Sequence, residues 1–310
     1  MYAELKCKTH FSFLNGASSA AELFVQAHHL GLSALAVTDI NGVYSLPRAY
    51  ETIRDKKVEK ILNGEKTEEA IKTRLICGAE LNIKNHLPIT LLACTRRGYG
   101  LLCRLLTRLH AGKEKGEGHL TFEELIQGFE DYPLAAKELI ALPDFESFHS
   151  AQNFTDPSSS LALLKDLLQD RLYLPITRYR DGFDRERTLK AHELSQLYHI
   201  PIVATQNALY HHPDRRFLHD TLTCIRENTT LDQAGFLLSA NSERYLKNEE
   251  QMLRLFYDQP DWVYRTQDVA DQCQFHLSEI KYSYPHEFIP KGQTAQSYLR
   301  ELVLEGAKEI

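Results

Sequence analysis

The chain has 310 residues, 43% of them hydrophobic, which suffices for one large α/β barrel of about 200–250 residues with a smaller appendage. Its net charge of −6 argues against a chain that is itself the main grip on nucleic acid, because such domains are usually basic. No run approaches the roughly 18 apolar residues of a membrane span, and no basic-then-apolar signal precedes the first strand pattern, so a cytoplasmic chain without membrane contact is expected. Residues 2–8 (YAELKCK) alternate as a strand and place Lys6 and Lys8 on one face. Ser19 and Glu22 have the spacing of a capping box for a helix that ends at Gly31. ALAVTDI (34–40) reads as a buried strand, SLPRAYETIRDKKVEKI (45–61) as an amphipathic helix, and the charged stretch 63–73 as a solvated excursion. RLICGAELNI (74–83) and LPITLLACT (87–95) read as a strand pair or two successive strands, and residues 98–112 as a helix whose leucines face the core.

After a loop at 112–118 come a short helix at 121–129, a strand at 138–144, a helix at 159–171, a strand at 172–179, a helix at 184–199 and a last clear strand at 201–209. Repeated strand–helix units with apolar strands favour a parallel sheet, closed or open. From about residue 210 the pattern turns helical, then becomes a Pro-containing extended stretch from Tyr282 to Gly292 and a final helix. The expected division is a barrel at 1–212, a helical extension at 213–281, and a linker with the start of a further region at 282–310. The six cysteines lack C-x-x-C spacing and fall mostly in apolar segments, which reads as buried reduced thiols rather than a disulfide or zinc set. In a barrel of this kind chemistry collects at the C-terminal strand ends. Those ends carry Lys6 and Lys8, Asp39 with Asn41, Glu80 with Asn82, Asp144, Tyr179, and Gln206 with Asn207, and His10 stands just past the first strand.

Several stretches carry a family resemblance: YAELKCKTHFSFLNGAS, ALAVTDINGVYSLPRAYE, GAELNI, LLACTRRGYGLLCRLLT, the long run from DRERTLKAHELSQLYH through IPIVATQNALYHHPDRRFLHDTLTCIRENTTL, and NSERYLKNEEQMLRLF. Together they resemble the N-terminal PHP (polymerase and histidinol phosphatase) domain of bacterial C-family DNA polymerases, the DNA polymerase III alpha subunit family. IPIVAT, YHHPDRR and LTCIRENTTL are most similar to the error-prone translesion branch. The resemblance covers nearly the whole chain. It implies an α/β fold, a PHP-type distorted TIM-like (βα)7 barrel followed by a helical C-terminal segment. It also implies a parent polypeptide that is a DNA-directed nucleotidyltransferase using magnesium, in DNA replication or translesion repair. The implied partners are the polymerase body of the same polypeptide, DNA through that polymerase, and replication or repair accessory proteins.

The family's metal ligands carry over poorly. The His-x-His strand falls on Lys6-Cys7-Lys8, and Thr-Asp-His falls on Thr38-Asp39-Ile40. Gly-x-Glu is intact as Gly78-Ala79-Glu80, and the histidine before the LLA strand falls on Pro88, with His86 two residues earlier. The small Gly-Cys-type site has become Pro143-Asp144-Phe145, the histidine of an Arg-His pair is Tyr179, and the final Asp-x-His is Asn207-Ala208-Leu209. The degenerate positions are therefore Lys6, Lys8, Asp39, Ile40, Glu80, Pro88, Phe145, Tyr179, Asn207 and Leu209, of which Asp39 and Glu80 keep a ligand type. A lysine ammonium has no lone pair for a metal, and a trinuclear hydrolytic centre needs several converging imidazoles and carboxylates. The expectation is a chain with no catalytic residue and no metal or other cofactor of its own. In it, Lys6 and Lys8 replace the cations by pairing with Asp39 or Glu80, since bare buried carboxylates are costly. His10 and His86 are further candidates for the mouth. Two other readings stand beside this one: an active metal-dependent phosphoesterase (a 3′ exonuclease or pyrophosphatase), and a stand-alone binding module using the helical C-terminal third.

Overall fold

The computed structural model describes residues 1–55, 57–62, 65–144, 157–282 and 288–308, the side chains of 57–62, 65–67 and 157–159 excepted. In chain order the elements are β1 (Ala3–Cys7), α1 (Ala20–His29), β2 (Ala34–Val37), α2 (Leu46–Asp55), β3 (Lys57–Leu62), β4 (Glu65–Ala70), β5 (Arg74–Leu81) and β6 (Ile89–Ala93). There follow α3 (Arg96–His110), α4 (Phe122–Asp131), α5 (Pro133–Ala136), β7 (Leu139–Pro143), α6 (Pro157–Leu168), β8 (Leu174–Ile176), α7 (Asp184–Tyr198) and β9 (Ile202–Ala204). The helical remainder holds α8 (Arg216–Arg226), α9 (Leu231–Ala234), α10 (Glu249–Leu255), α11 (Pro260–Gln272) and α12 (Ala295–Gly306). Met1–Leu277 form one compact unit and Ser278–Ile310, with α12, another. No described helix is long and apolar enough to cross a membrane.

Seven strands close into a ring. β1, β2 and β5 pair in parallel, β6 pairs antiparallel with both β5 and β7, and β8 pairs in parallel with β9. Two narrow seams complete the circle. Tyr173 N–H donates to Ala141 O at 3.1 Å, joining β7 to the approach of β8. Lys8 N–H donates to Ala208 O at 2.9 Å, and Ala208 N–H to Lys6 O at 3.0 Å, joining β1 to the chain beyond β9. The result is an α/β barrel with distorted closure. The parallel sheet expected from the strand–helix alternation fails at β6, because residues 82–88 are too few for a crossover, which needs about a dozen.

The helix expected over 45–61 stops at Asp55, and the presumed excursion supplies a second strand: β3 and β4 pair antiparallel from Lys57↔Ala70 to Leu62↔Glu65. The sequence signal for this is Asn63-Gly64 (outside the described residues), a strong hairpin dipeptide. It outweighs the weak helical preference of a Lys- and Glu-rich stretch.

β1 contains a bulge that decides what the barrel presents. Glu4 opposes Leu35 but Cys7 opposes Val37, so Leu5 and Lys6 together stand against one residue of β2. An extra residue reverses the inside–outside alternation. Before the bulge, Ala3 and Leu5 join an apolar set with Ala34, Ala36, Ile76, Ile140, Leu142 and Val203. After it, Lys6 and Lys8 take the inward positions. Val269, Ala270 and Cys273 of the α11 region complete the apolar set and plug the base. There the Arg74 guanidinium donates to Ala270 O at 2.7 Å and Cys273 O at 2.6 Å, and Gln274 N–H donates to Cys94 O at 2.9 Å.

The seam beside the bulge is bridged by a carboxylate. Glu4 is fully buried and accepts from Lys6 N–H at 2.8 Å, Gln206 N–H at 2.9 Å, the Tyr2 hydroxyl at 2.6 Å and the Thr205 hydroxyl. Burial pushes its pKa up, and those hydrogen bonds offset only part of that rise. All six cysteines are free thiols, and all but Cys103 are buried.

Candidate functional site

The barrel mouth is organised by four charged side chains that converge from three segments far apart in sequence. Lys6 Nζ stands 3.2 Å from Asp144 Oδ2 and 3.4 Å from Glu80 Oε2. Lys8 Nζ donates to the same Glu80 oxygen at 2.9 Å and to Asn207 Oδ1 at 3.0 Å. All five residues are buried. Each strand delivers its group at or just past its end: the bulge turns Lys6 and Lys8 inward, β5 brings Glu80, β7 ends before Asp144, and Asn207 follows β9. Asn207 has a left-handed backbone (φ 47°), a conformation that asparagine tolerates better than most residues.

Burial pushes Glu80 toward the neutral form, but Lys8 and then Lys6 outweigh it and hold the carboxyl below its ordinary value. Asp144 behaves alike: burial raises it, and Lys6, Lys8 and the more distant Arg244 charge bring it below the ordinary aspartate value. Two ammonium groups thus face two carboxylates, and the cluster is neutral in itself.

Asp39 does not join it. Its Oδ1 accepts from Thr9 N–H at 2.7 Å and the Ser12 hydroxyl at 2.6 Å, and its Oδ2 accepts from the Thr9 hydroxyl at 2.8 Å and the Ser45 hydroxyl. The expected lysine pairing therefore falls on Glu80 and Asp144 and passes Asp39 by. The turn after β1, which lays Thr9 and Ser12 over the end of β2, supplies the donors instead. That turn depends on Gly16, where an added Cβ would lie 1.9 Å from Thr9 O. Gly16→Ala is expected to displace the turn and cost about 1–3 kcal/mol of stability. Urea unfolding measures it, and an unchanged midpoint would show that the turn adapts freely.

The other positions marked by sequence lie as follows. Ile40 is bridged in parallel to Glu80, and its N–H donates to Ser12 Oγ at 3.1 Å. Pro88 O accepts from Asp144 N–H at 2.8 Å, a main-chain contact that holds Asp144 at the rim. Tyr179 is buried beneath two guanidinium groups, Arg244 at 4.3 Å and Arg187 at 5.2 Å from its ring centroid. Leu209 packs with Ala17 and Tyr210 in a small apolar cluster. Phe145 lies outside the described residues.

Neither histidine put forward for the mouth joins its charged cluster. His10 is exposed and stacks on Phe11 at 4.8 Å. His86 stacks on Phe122 of α4 at 4.7 Å and lies 3.2 Å from the Ser160 hydroxyl of α6. Aromatic packing in the turn between β5 and the reversed β6 draws it outward. Sequence reasoning placed Asp144 at a strand end without naming it as a site residue. The hydroxyls of Thr9, Ser12 and Ser45 carried no signal, since serine and threonine are common in turns.

The donor set does not fit the metal cluster of the resemblance. One oxygen of each carboxylate, Glu80 Oε2 and Asp144 Oδ2, is engaged by lysine ammonium groups, which have no lone pair to offer a cation. Among the described residues no group of three His, Cys, Asp or Glu side chains is placed to hold an ion.

A family model described as PHP domain matches residues 4–178. The chain belongs to the PHP domain family. Over 98% of its length this PHP domain is 36% identical to error-prone DNA polymerase 1 of Agrobacterium fabrum, of which it covers 25%. It is also 36% identical, over 99% of its length, to the error-prone DNA polymerase of Rhodopseudomonas palustris strain BisB5, covering 26% of that protein. The chain therefore spans about a quarter of the length of these relatives. Among solved structures, a lesion-specific endonuclease from Pyrococcus furiosus aligns with a TM-score of 0.39 and 18% identity over 67% of this chain and 48% of that one, too loose a likeness to argue from.

Proposed function

We propose that this PHP domain is a non-catalytic, metal-free scaffold within an error-prone C-family DNA polymerase of the polymerase III alpha subunit type. The Lys6–Glu80–Lys8 arrangement carries the reading, with Asp144 on its flank: two ammonium groups supply the positive charge that carboxylates at this mouth require. The names of the relatives, and the chain's quarter share of their length, support the polymerase context. On this reading nucleotidyl transfer with magnesium, in translesion repair or replication, belongs to the longer protein. The domain's partners are the polymerase body, DNA held through that body, and accessory proteins of replication or repair.

Elemental mass spectrometry of the purified chain tests it, first as isolated and then after dialysis against zinc and manganese. Substoichiometric metal in both samples is the expected result. Two or three retained ions per chain would overturn the scaffold reading and restore the phosphoesterase alternative.

A further inference from the structure

A second concave site lies at the rim beyond β8, where the start of α7 faces the end of α10 and leaves a cleft of about 460 Å³. Arg178, Arg180, Arg185 and Arg254 line it, with Tyr257 and Leu189. Two acids also reach it, and both are engaged. Asp258 holds Arg178 through contacts of 2.5 and 2.9 Å. Asp184 accepts the backbone N–H groups of Tyr179 at 2.8 Å and Arg180 at 2.9 Å.

Of the cations, Arg180 and Arg185 are the less committed. Arg180 reaches Glu243 only at 3.8 Å, and Arg254 pairs with Glu250 on an exposed helix face. Among the described residues Arg185 makes no hydrogen bond or ion pair. The lining itself holds four guanidinium groups and two carboxylates, and with Arg178 held by Asp258 and Arg254 by Glu250, Arg185 and the loosely paired Arg180 are the cations left to meet an anion. Tyr257 is 80% exposed, so its ring adds little to the core.

We propose that this cleft binds a phosphodiester of single-stranded nucleic acid, with Arg180 and Arg185 on the phosphate and a base against Tyr257. Planar guanidinium donors match phosphate oxygens, and an exposed aromatic ring stacks on any base. The volume falls in the range of about 300–1,000 Å³ typical of ligand clefts. An acidic peptide would satisfy the arginines but would leave the aromatic platform unused. The proposal does not depend on whether the mouth holds metal.

Fluorescence anisotropy of a fluorescein-labelled oligo(dT) dodecamer, titrated with the whole chain at low salt, tests it. Arg185→Glu with Arg254→Glu is expected to weaken binding about tenfold or more and to flatten the salt dependence by roughly one unit of slope. Tyr257→Ala is expected to weaken binding about fivefold or more, since stacking on an aromatic contributes about 1–3 kcal/mol per base. The exposed charge control Arg48→Glu with Lys72→Glu leaves binding unchanged. No anisotropy rise with the unaltered chain, an equal loss in the control, no loss with Tyr257→Ala, or binding of labelled polyglutamate in place of the oligonucleotide would each overturn the proposal.

Discussion

Glu80→Ala is expected to lower the unfolding free energy by about 3–5 kcal/mol, the range seen when one partner of a buried ion pair is removed. The effect is large because one oxygen, Oε2, faces both lysines, at 2.9 Å from Lys8 and 3.4 Å from Lys6. Removing it leaves Lys8 with the neutral Asn207 oxygen and takes one of the two carboxylates from Lys6, Asp144 remaining. Water cannot easily repair the loss, since Lys6 is only 2% and Lys8 only 5% exposed. Urea unfolding gives the magnitude, and a double-mutant cycle identifies the cause. In a Lys8→Met background the same Glu80→Ala change is expected to cost at least about 1.5 kcal/mol less, because contacting charges couple by about 0.5–3 kcal/mol. A loss below about 1 kcal/mol in the unaltered background would mean that the lysines relax to solvent and that the cluster is not structural.

Which residues meet at the mouth was legible in part, and the reasons differ by position. Lys6 and Lys8 were readable because a period of two puts alternate residues on one face. Yet the face that they share with the barrel interior is set by the bulge at Leu5–Lys6, and nothing in AELKC marks a bulge. Glu80 was readable from Gly78-Ala79-Glu80, whose glycine has its own steric reason: a Cβ there would lie 2.7 Å from Leu91 O on the neighbouring strand. Asp39 was marked as a charge needing a cation, whereas its burial is met by one backbone N–H and two hydroxyls from the turn after β1 and by the Ser45 hydroxyl just before α2. Sequence spacing reports which face a residue takes, not which loop folds over it. The reversal of β6 and the β3–β4 hairpin escaped for a similar reason. Apolar strands of equal length read alike in either direction, and a charged segment reads as solvated whether or not its backbone pairs.

Replacing both lysines at once, Lys6→Met with Lys8→Met, is expected to turn the contribution of Glu80 and Asp144 to stability between pH 7 and 5 from flat to one that rises as the pH falls. In the unaltered chain Lys8 and Lys6 hold Glu80 below its ordinary value despite burial, and Lys6 and Lys8 do the same for Asp144. A carboxylate whose folded pKa is depressed contributes stability above its unfolded value and loses it as the pH falls through the lower folded value. These two groups therefore contribute a flat profile above the ordinary carboxylate range and a loss below it. Without the ammonium groups, burial is unopposed at Glu80 and opposed at Asp144 only by the Arg244 charge, and both folded values rise above the unfolded ones. At these two sites the folded state then binds more protons than the unfolded chain, and their contribution to stability increases on acidification. The slope is about 1.4 kcal/mol per pH unit for each proton taken up on folding. Other groups titrate in this window. Burial raises Glu4, which favours the folded state as the pH falls, and depresses His219 to about 4, which opposes it. Both lie outside the ammonium–carboxylate cluster and contribute equally to the two proteins, so the difference between the profiles isolates Glu80 and Asp144. Urea midpoints taken from pH 7.5 down to 5 provide that difference. Parallel profiles would mean that the lysines do not set the charge of the mouth carboxylates, and the substitution of ammonium for metal would lose its physical basis.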